Sequence, residues 1–297
     1  AAHENPSVSL SNYLRFSQLP NSVFAFEMPA GEFSAYKVED FVSSSFAQAV
    51  AGVKSCNSTA DFRAWWEVPQ AQLGDGRTWQ LLHNGSPYCP FHYPAFFAVR
   101  ADGGHWTQLM ANGGARPGET YHAKPGIAFG KRTDTMYAYV KPPGQVFSQE
   151  GQALFVKPEV SIWGALALVN SAVYARHANY VAGQHKYHNY LNKICMRTDL
   201  LPRDSSEAQD AHLLLRTLDV ANENTFLFVF PQYRPEFQIN SSSEKRAAAE
   251  SILHKIGELR SIIDKKLLLA LDSHDQAEEG AKTVDYYAHY FAESYSS

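Results

Sequence analysis

Two short segments contain side chains whose types and spacing could support chemistry. The first is Cys89-Pro90-Phe91-His92, with His83 upstream, and its spacing is typical of metal ligands. A structural zinc site is closed by a complete tetrahedral set of cysteine and histidine ligands. Only three candidate ligands stand together in this stretch. The sequence therefore predicts no metal site here.

The second segment, His185-Lys186-Tyr187-His188, is a denser cluster. It allows three interpretations: a metal site, a catalytic histidine pair, or a basic loop that faces an anion. No Asp or Glu lies between His177 and Met196. A histidine pair without a carboxylate to orient it is a poor basis for general acid–base catalysis. We therefore predict no catalytic residue in this segment and favour the basic loop.

Complete catalytic motifs are missing from the rest of the chain. There is no G-x-S-x-G nucleophile elbow and no phosphate-binding loop that ends in Gly-Lys-Ser/Thr. Ser34 and Lys37 match an S-x-x-K pair, but its companion motifs are absent. An independent metal-dependent hydrolase that uses the histidine cluster remains only an alternative.

The charges of the chain are unevenly distributed. The formal net charge is −4, yet residues 1–203 hold 17 Lys and Arg against 14 Asp and Glu, whereas residues 204–297 hold 9 against 16. Two stretches, 116–145 and 176–203, are the most basic, with net charges of +3 and +4. A polyanion would therefore meet the first two-thirds of the chain.

These basic stretches supply candidate contacts to nucleic acid, although a merely solvated basic surface would have the same composition. Lys and Arg neutralise phosphates, while Asn, Gln and Arg can hydrogen-bond to base edges. We expect phosphate contacts from Lys124, Lys131, Arg132, Lys186 and Lys193. We expect Gln184, His185, Tyr187 and Asn189 near base edges, with His188 in the same loop.

Composition limits the class of protein. Hydrophobic residues form 45% and charged residues 19% of the chain, so it can build a real core. Three cysteines, Cys56, Cys89 and Cys195, make no disulfide framework, and this favours a reducing, cytoplasmic location. There is neither a signal peptide nor an apolar run long enough to span a membrane. The chain also lacks an initiator Met, and we expect it to begin inside a longer reading frame.

The periodicity of apolar residues predicts both strands and helices in this chain. Residues 74–130, rich in Gly, Pro and aromatics, are typical of short strands joined by turns, and Ala153–Val156 of a buried strand. Helical spacing begins after Ser161, a candidate cap, and continues to Tyr180. Two further helices are predicted, one opened by the capping signal of Asp204 to Glu207 and one over 244–271. The last helix has an apolar stripe, interpreted as core or as a surface for a partner: Ile252, Ile256, Leu259, Ile263 and Leu267.

Five segments resemble the target-recognition region of large adenine-specific DNA methyltransferases. The order of the segments and the spacing between them also agree with that region. The similar families are the BREX phage-defence methyltransferases and fused type II restriction-modification enzymes. The resemblance extends over roughly residues 55–200. Its segments are 62–68 (FRAWWEV), 126–134 (GIAFGKRTD), 143–155 (PGQVFSQEGQALF), 162–171 (IWGALALVNS) and 183–196 (GQHKYHNYLNKICM).

The resemblance implies a specificity part without its catalytic half. In this family the catalytic half binds S-adenosylmethionine and positions adenine with an Asn-Pro-Pro-aromatic motif, whose ring stacks on a flipped base. Asn5-Pro6-Ser7-Val8 lacks the second proline and the ring, so no catalytic role passes to Asn5. We expect no cofactor in this chain and S-adenosylmethionine in the missing domain.

Together these features predict an α+β fold: a mixed-strand target-recognition domain over residues 1–203 with helical insertions, and a helical, acidic C-terminal region over 204–297. The predicted function is sequence-specific recognition of duplex DNA for adenine-N6 methylation in phage defence or restriction-modification. The expected partners are double-stranded DNA and a methyltransferase catalytic domain or subunit, with no membrane. The alternative is a protein-interaction or regulatory subunit that docks a methyltransferase.

Overall fold

The computed structural model describes residues 13–26, 28, 46–194, 202–220, 222, 224–227 and 242–270. Asn5, Cys195 and the acidic end of the chain lie outside these residues. Helices and two sheets share the described part, and this confirms the α+β class. No helix in it has the length and apolar character needed to cross a membrane.

The first sheet is antiparallel throughout, in the order β1-β8-β5-β6. Its strands are β1 (Ala47–Val50), β5 (Gly126–Phe129), β6 (Ala138–Lys141) and β8 (Ala153–Val156). β5 is buried along its whole length, because it is a central strand covered on both faces. β8 has the bounds that the sequence predicts.

The second sheet has the order β2-β4-β3-β7, and its only parallel pair is β3 with β7. The strands are β2 (Phe62–Ala64), β3 (Trp79–His83), β4 (Phe97–Arg100) and β7 (Val146–Phe147). Residues 74–130 thus contain short strands, as predicted. They also contain a helix that the prediction omits, Gly103–Ala111, which Asp102 caps by accepting from the His105 amide at 2.9 Å.

The seven α-helices of the described residues are α1 (Ser58–Asp61), α2 (Gly103–Ala111), α3 (Ile162–Val169), α4 (Ala172–Ala182), α5 (His188–Leu191), α6 (Ser206–Val220) and α7 (Ser242–Ala270). The predicted cap at Ser161 is confirmed, because its side chain accepts from the Trp163 and Gly164 amides. At the start of α6, Ser205 accepts from the Ala208 amide at 3.2 Å and is the cap, one residue beyond Asp204.

The helix predicted from 162 to 180 is two helices, and the interruption has a tertiary cause. The Asn170 side chain both accepts from the Ala138 amide and donates to the Ala138 carbonyl, at 2.9 Å each. Ser171 then caps α4 by accepting from the Tyr174 amide. The chain turns here because Asn170 binds the backbone just as β6 begins.

One large core joins the first sheet to α3, α4, α6 and α7. It contains Ile127 and Leu154 of the sheet, Leu215 of α6, and Ile256 and Ile263 of α7. The apolar stripe of α7 is therefore core. The predicted division between residues 203 and 204 falls within this one core.

Candidate functional site

The two basic stretches meet through their backbones. Arg132 and His185 form an isolated antiparallel bridge. On either side of it, the Lys186 amide donates to the Lys131 carbonyl at 2.8 Å, and the Thr133 amide donates to the Gln184 carbonyl at 3.1 Å. Segments about 50 residues apart in the chain thereby form one surface.

Lys186 holds this junction from inside. Its side chain is 0% exposed, and its Nζ donates to the carbonyl oxygens of Thr133 and Gly183. Burial lowers the pKa of Lys186 to about 8. The phosphate contact expected of Lys186 is wrong for this arrangement, because its ammonium is directed to the backbone of both loops.

Lys131 is also internal. It is 6% exposed, its Nζ lies 2.7 Å from Oε1 of Glu150, and the same Nζ lies 5.0 Å from the centre of the Tyr187 ring. Its charge is therefore matched within the protein. The expected phosphate contact is corrected here too, to an ion pair that supports Tyr187.

Four of the ten predicted residues are exposed at this junction, namely Arg132, Gln184, His185 and Lys193, and Asn189 of α5 is exposed as well. The Arg132 side chain is 70% exposed, and its Nε lies 3.9 Å from Glu150, the limit of an ion pair. Nζ of Lys193 donates to Oδ1 of Asn21 at 3.3 Å. That contact brings the N-terminal segment to the same surface.

A shallow groove of about 520 Å³ lies along this surface and is here called the Gln184 groove. Tyr187 and Tyr190, with ring centres 6.2 Å apart, form part of its wall. The complete lining is Asn21, Val23, Val181, Ala182, Gln184, His185, Tyr187 and Tyr190. Amide, imidazole and phenol groups there can both donate and accept hydrogen bonds.

Aromatic side chains that the sequence analysis did not select lie beside the groove. Phe24 is 71% exposed and Phe26 is 56% exposed, and their rings stack with centres 5.9 Å apart. Phe16 packs beneath both rings, in a small cluster that also contacts Tyr180 of α4. The pairing of this segment with α4 has no sequence signal, since it depends on contacts between distant residues.

Neither Lys124 nor His188 lines the groove. Lys124 precedes β5, whereas the Lys131 loop follows it, so the two occupy opposite ends of the strand. The Lys124 carbonyl accepts from the buried Nζ of Lys141, and its own ammonium lies over the Tyr121 ring. His188 is half-buried, with its amide 2.7 Å and its Nδ1 3.2 Å from Oε1 of Gln152, and burial lowers its pKa.

Cys89 and His92 of the upstream segment contact other groups of the protein. Sγ of Cys89 donates to the His92 carbonyl, and Nε2 of His92 lies 2.6 Å from Oδ2 of Asp219. Over the described ranges, no three His, Cys, Asp or Glu side chains are grouped so that they could hold a metal ion.

Comparison with known proteins identifies no family for this chain. No protein-family model matches the chain, and no curated protein matches it either.

Proposed function

We propose that this chain binds duplex DNA through the Gln184 groove, as the specificity part of an adenine-N6 DNA methyltransferase of phage defence or restriction-modification. It has no catalytic centre of its own in this proposal. Its cytoplasmic partner is a catalytic domain or subunit that binds S-adenosylmethionine. The observation that carries the proposal is the Arg132–His185 bridge, which unites the two basic stretches at one groove.

In this proposal, Arg132 and Lys193 hold phosphates. Both are exposed cations beside the groove, and contacts of this type fix the register of a protein on DNA. Gln184, His185, Tyr187 and Asn189 lie between them in the chain and meet base edges. A side-chain amide can bind adenine through two hydrogen bonds.

The buried lysines have an indirect part. Lys186 ties the Thr133 and Gly183 carbonyls together, and Lys131 lies below the Tyr187 ring. They keep both loops in one conformation, which lowers the entropy lost when DNA binds. The exposed Phe24 and Phe26 rings offer apolar contact at the edge of the DNA.

The alternative of a docking subunit has less support. An unpaired apolar stripe on α7 would favour it, but Ile256, Ile263 and Leu267 of that stripe are 1–3% exposed within the core. A helix face used in the core leaves little apolar area for another protein.

The test is binding of the chain to duplex DNA by fluorescence anisotropy across a series of salt concentrations. The double variant R132A/K193A removes two proposed phosphate contacts. A plot of the logarithm of the binding constant against the logarithm of salt concentration should then fall less steeply. The magnitude of its negative slope should decrease by about 2. The matched control is K255A/K265A, which removes two exposed lysines of α7.

Three results would count against DNA binding at this groove. One is binding that does not depend on salt, and another is an equal change of slope in both double variants. The third is the absence of binding by the chain both alone and together with the catalytic partner.

A further inference from the structure

A hydrogen bond between side chains joins the two loops at the Gln184 groove. Nε2 of Gln184 donates to Oδ1 of Asp134 at 3.0 Å, although 50 residues separate the two in the chain. Gln184 follows α4 and lines the groove, whereas Asp134 lies in the loop between β5 and β6. Both residues are exposed, so a ligand can reach them.

The acceptor in this pair determines which way the Gln184 amide faces. A carboxylate can only accept hydrogen bonds, so the NH₂ group and not the oxygen must face Asp134. An amide beside a hydroxyl or a second amide could turn over, because either of its ends would find a partner there. Within the described residues, the Gln184 side chain makes no other hydrogen bond. Its Oε1 and its second N–H are therefore left for a ligand, in one fixed order.

The backbone around this pair is also fixed, so the amide is held in place as well as in orientation. The Thr133 amide donates to the Gln184 carbonyl at 3.1 Å, and Nζ of Lys186 donates to the carbonyl oxygens of Thr133 and Gly183. Gly183 has φ +54° and ψ −138°, a conformation that only glycine adopts readily. Because these contacts already join the loops, the hydrogen bond between Asp134 and Gln184 is not needed to hold the junction together.

The negative charge of Asp134 is accompanied by cations on both loops. Burial lowers the pKa of Lys186 to about 8, and the attraction of Asp134 partly offsets that effect. Arg132, two residues before Asp134, has a side chain that is 70% exposed. These cations limit the repulsion that the carboxylate exerts on a polyanion at the groove.

An amide oxygen beside an amide N–H matches one base edge of duplex DNA. In the major groove, adenine presents its N6 amino group as a donor next to N7 as an acceptor, and a glutamine side chain can bond to both atoms. Guanine presents two acceptors there, and cytosine presents a donor alone. We propose that Asp134 is a positioning residue, which orients the Gln184 amide to recognise adenine from the major groove. This inference rests on the proposed binding of duplex DNA, and it names the base read at one position of the target.

The test selects bound duplexes from a library with a randomised central segment and sequences the bound fraction. The complete chain should enrich sequences in which one position is adenine, preferred over every other base by at least about fivefold, the lower end of the effect of one bidentate pair. Q184A should lose the preference at this position alone. D134N should weaken it at the same position, because an asparagine amide can either donate to Gln184 or accept from it, and so no longer fixes its orientation.

Two further variants of aspartate serve as controls. D134E keeps a carboxylate and should retain more of the adenine preference than D134N. D210N removes the same charge at an exposed residue of α6 and should select the same sequences as the unaltered chain. In the absence of DNA, the signal of the Gln184 side-chain amide in ¹H–¹⁵N NMR spectra should shift in D134N and stay unchanged in D210N.

The outcomes separate this inference from the DNA proposal. The same base preference in Q184A as in the unaltered chain would overturn the inference and leave DNA binding standing. So would selection of another base at the position that Q184A affects, or an unchanged Gln184 signal in D134N. Weaker binding of D134N to all duplexes, with preference lost at every position, would show that Asp134 has only a structural role. Absence of duplex binding in the anisotropy measurement would overturn both proposals.

Discussion

Oδ2 of Asp219 lies 2.6 Å from Nε2 of His92, although 127 residues separate the two in the chain. Asp219 belongs to the last turn of α6, and His92 belongs to the loop between β3 and β4. Both side chains are largely buried, at 17% and 8% exposure. The pair therefore fastens a C-terminal helix to the loop that joins two strands of the second sheet.

Replacing Asp219 tests this fastening. D219A leaves the Nε2–H of His92 buried without an acceptor, so the free energy of unfolding should fall by about 1–3 kcal/mol. Urea unfolding measures the change. D210A is the matched control, because Asp210 is an exposed residue of the same helix, and it should change stability by less than about 0.5 kcal/mol. Equal effects would show that the pair contributes nothing specific.

The buried histidines predict loss of stability in acid. The pKa of His212 is lowered by burial to about 4, from an ordinary value of 6.5. The unfolded chain therefore takes up a proton at this residue between pH 6.5 and pH 4 while the folded protein does not. Its stabilisation is complete above pH 6.5 and is lost as the pH falls toward 4, by up to about 1.4 kcal/mol per pH unit.

The measurement is urea unfolding of the unaltered protein and of H212Q between pH 7 and pH 4. The glutamine does not titrate, so H212Q should lose less stability over this range. Parallel curves for the two proteins would refute the assignment. His254 is an exposed histidine of α7, and H254Q should follow the unaltered protein.

Two neighbouring isoleucines of α7 distinguish the core stripe from the exposed face. Ile263 is 3% exposed and Ile262 is 41% exposed. I263A should lower the free energy of unfolding by about 2–5 kcal/mol, because it opens a cavity in the main core. I262A should cost much less, since its side chain keeps part of its contact with water. Similar losses for both variants in denaturant unfolding would contradict the observed orientation of α7.

Lys186 should matter for the conformation of the groove. K186M removes the donor to the Thr133 and Gly183 carbonyls, so the two loops should separate more often. The Lys186 amide donates to the Lys131 carbonyl and the Thr133 amide donates to the Gln184 carbonyl, and exchange of both amides should become faster by at least about tenfold. K157M, at an exposed lysine after β8, should leave these amides protected. Unchanged exchange in K186M would mean that the backbone pairing holds without the ammonium.

Local signals in the sequence were enough for several elements. The strand Ala153–Val156, the cap at Ser161 and the long helix α7 were all predictable, because each depends on neighbouring residues, on apolar periodicity or on a side chain that caps the backbone beside it. The α+β class followed from the same periods. The excess of basic residues in the middle of the chain was likewise a property of composition.

Which basic side chain meets water could be decided only by the tertiary structure. Lys186 and Arg132 have the same formal charge, yet one is enclosed by backbone carbonyls and the other is 70% exposed. Contacts such as Asn170 with Ala138, or His92 with Asp219, join residues that no sequence period relates. The sequence by itself determined residue types, local elements and the uneven charge. Packing determined the rest, because burial and the distance between polar atoms set the role of a charged side chain, and both arise only when remote segments come together.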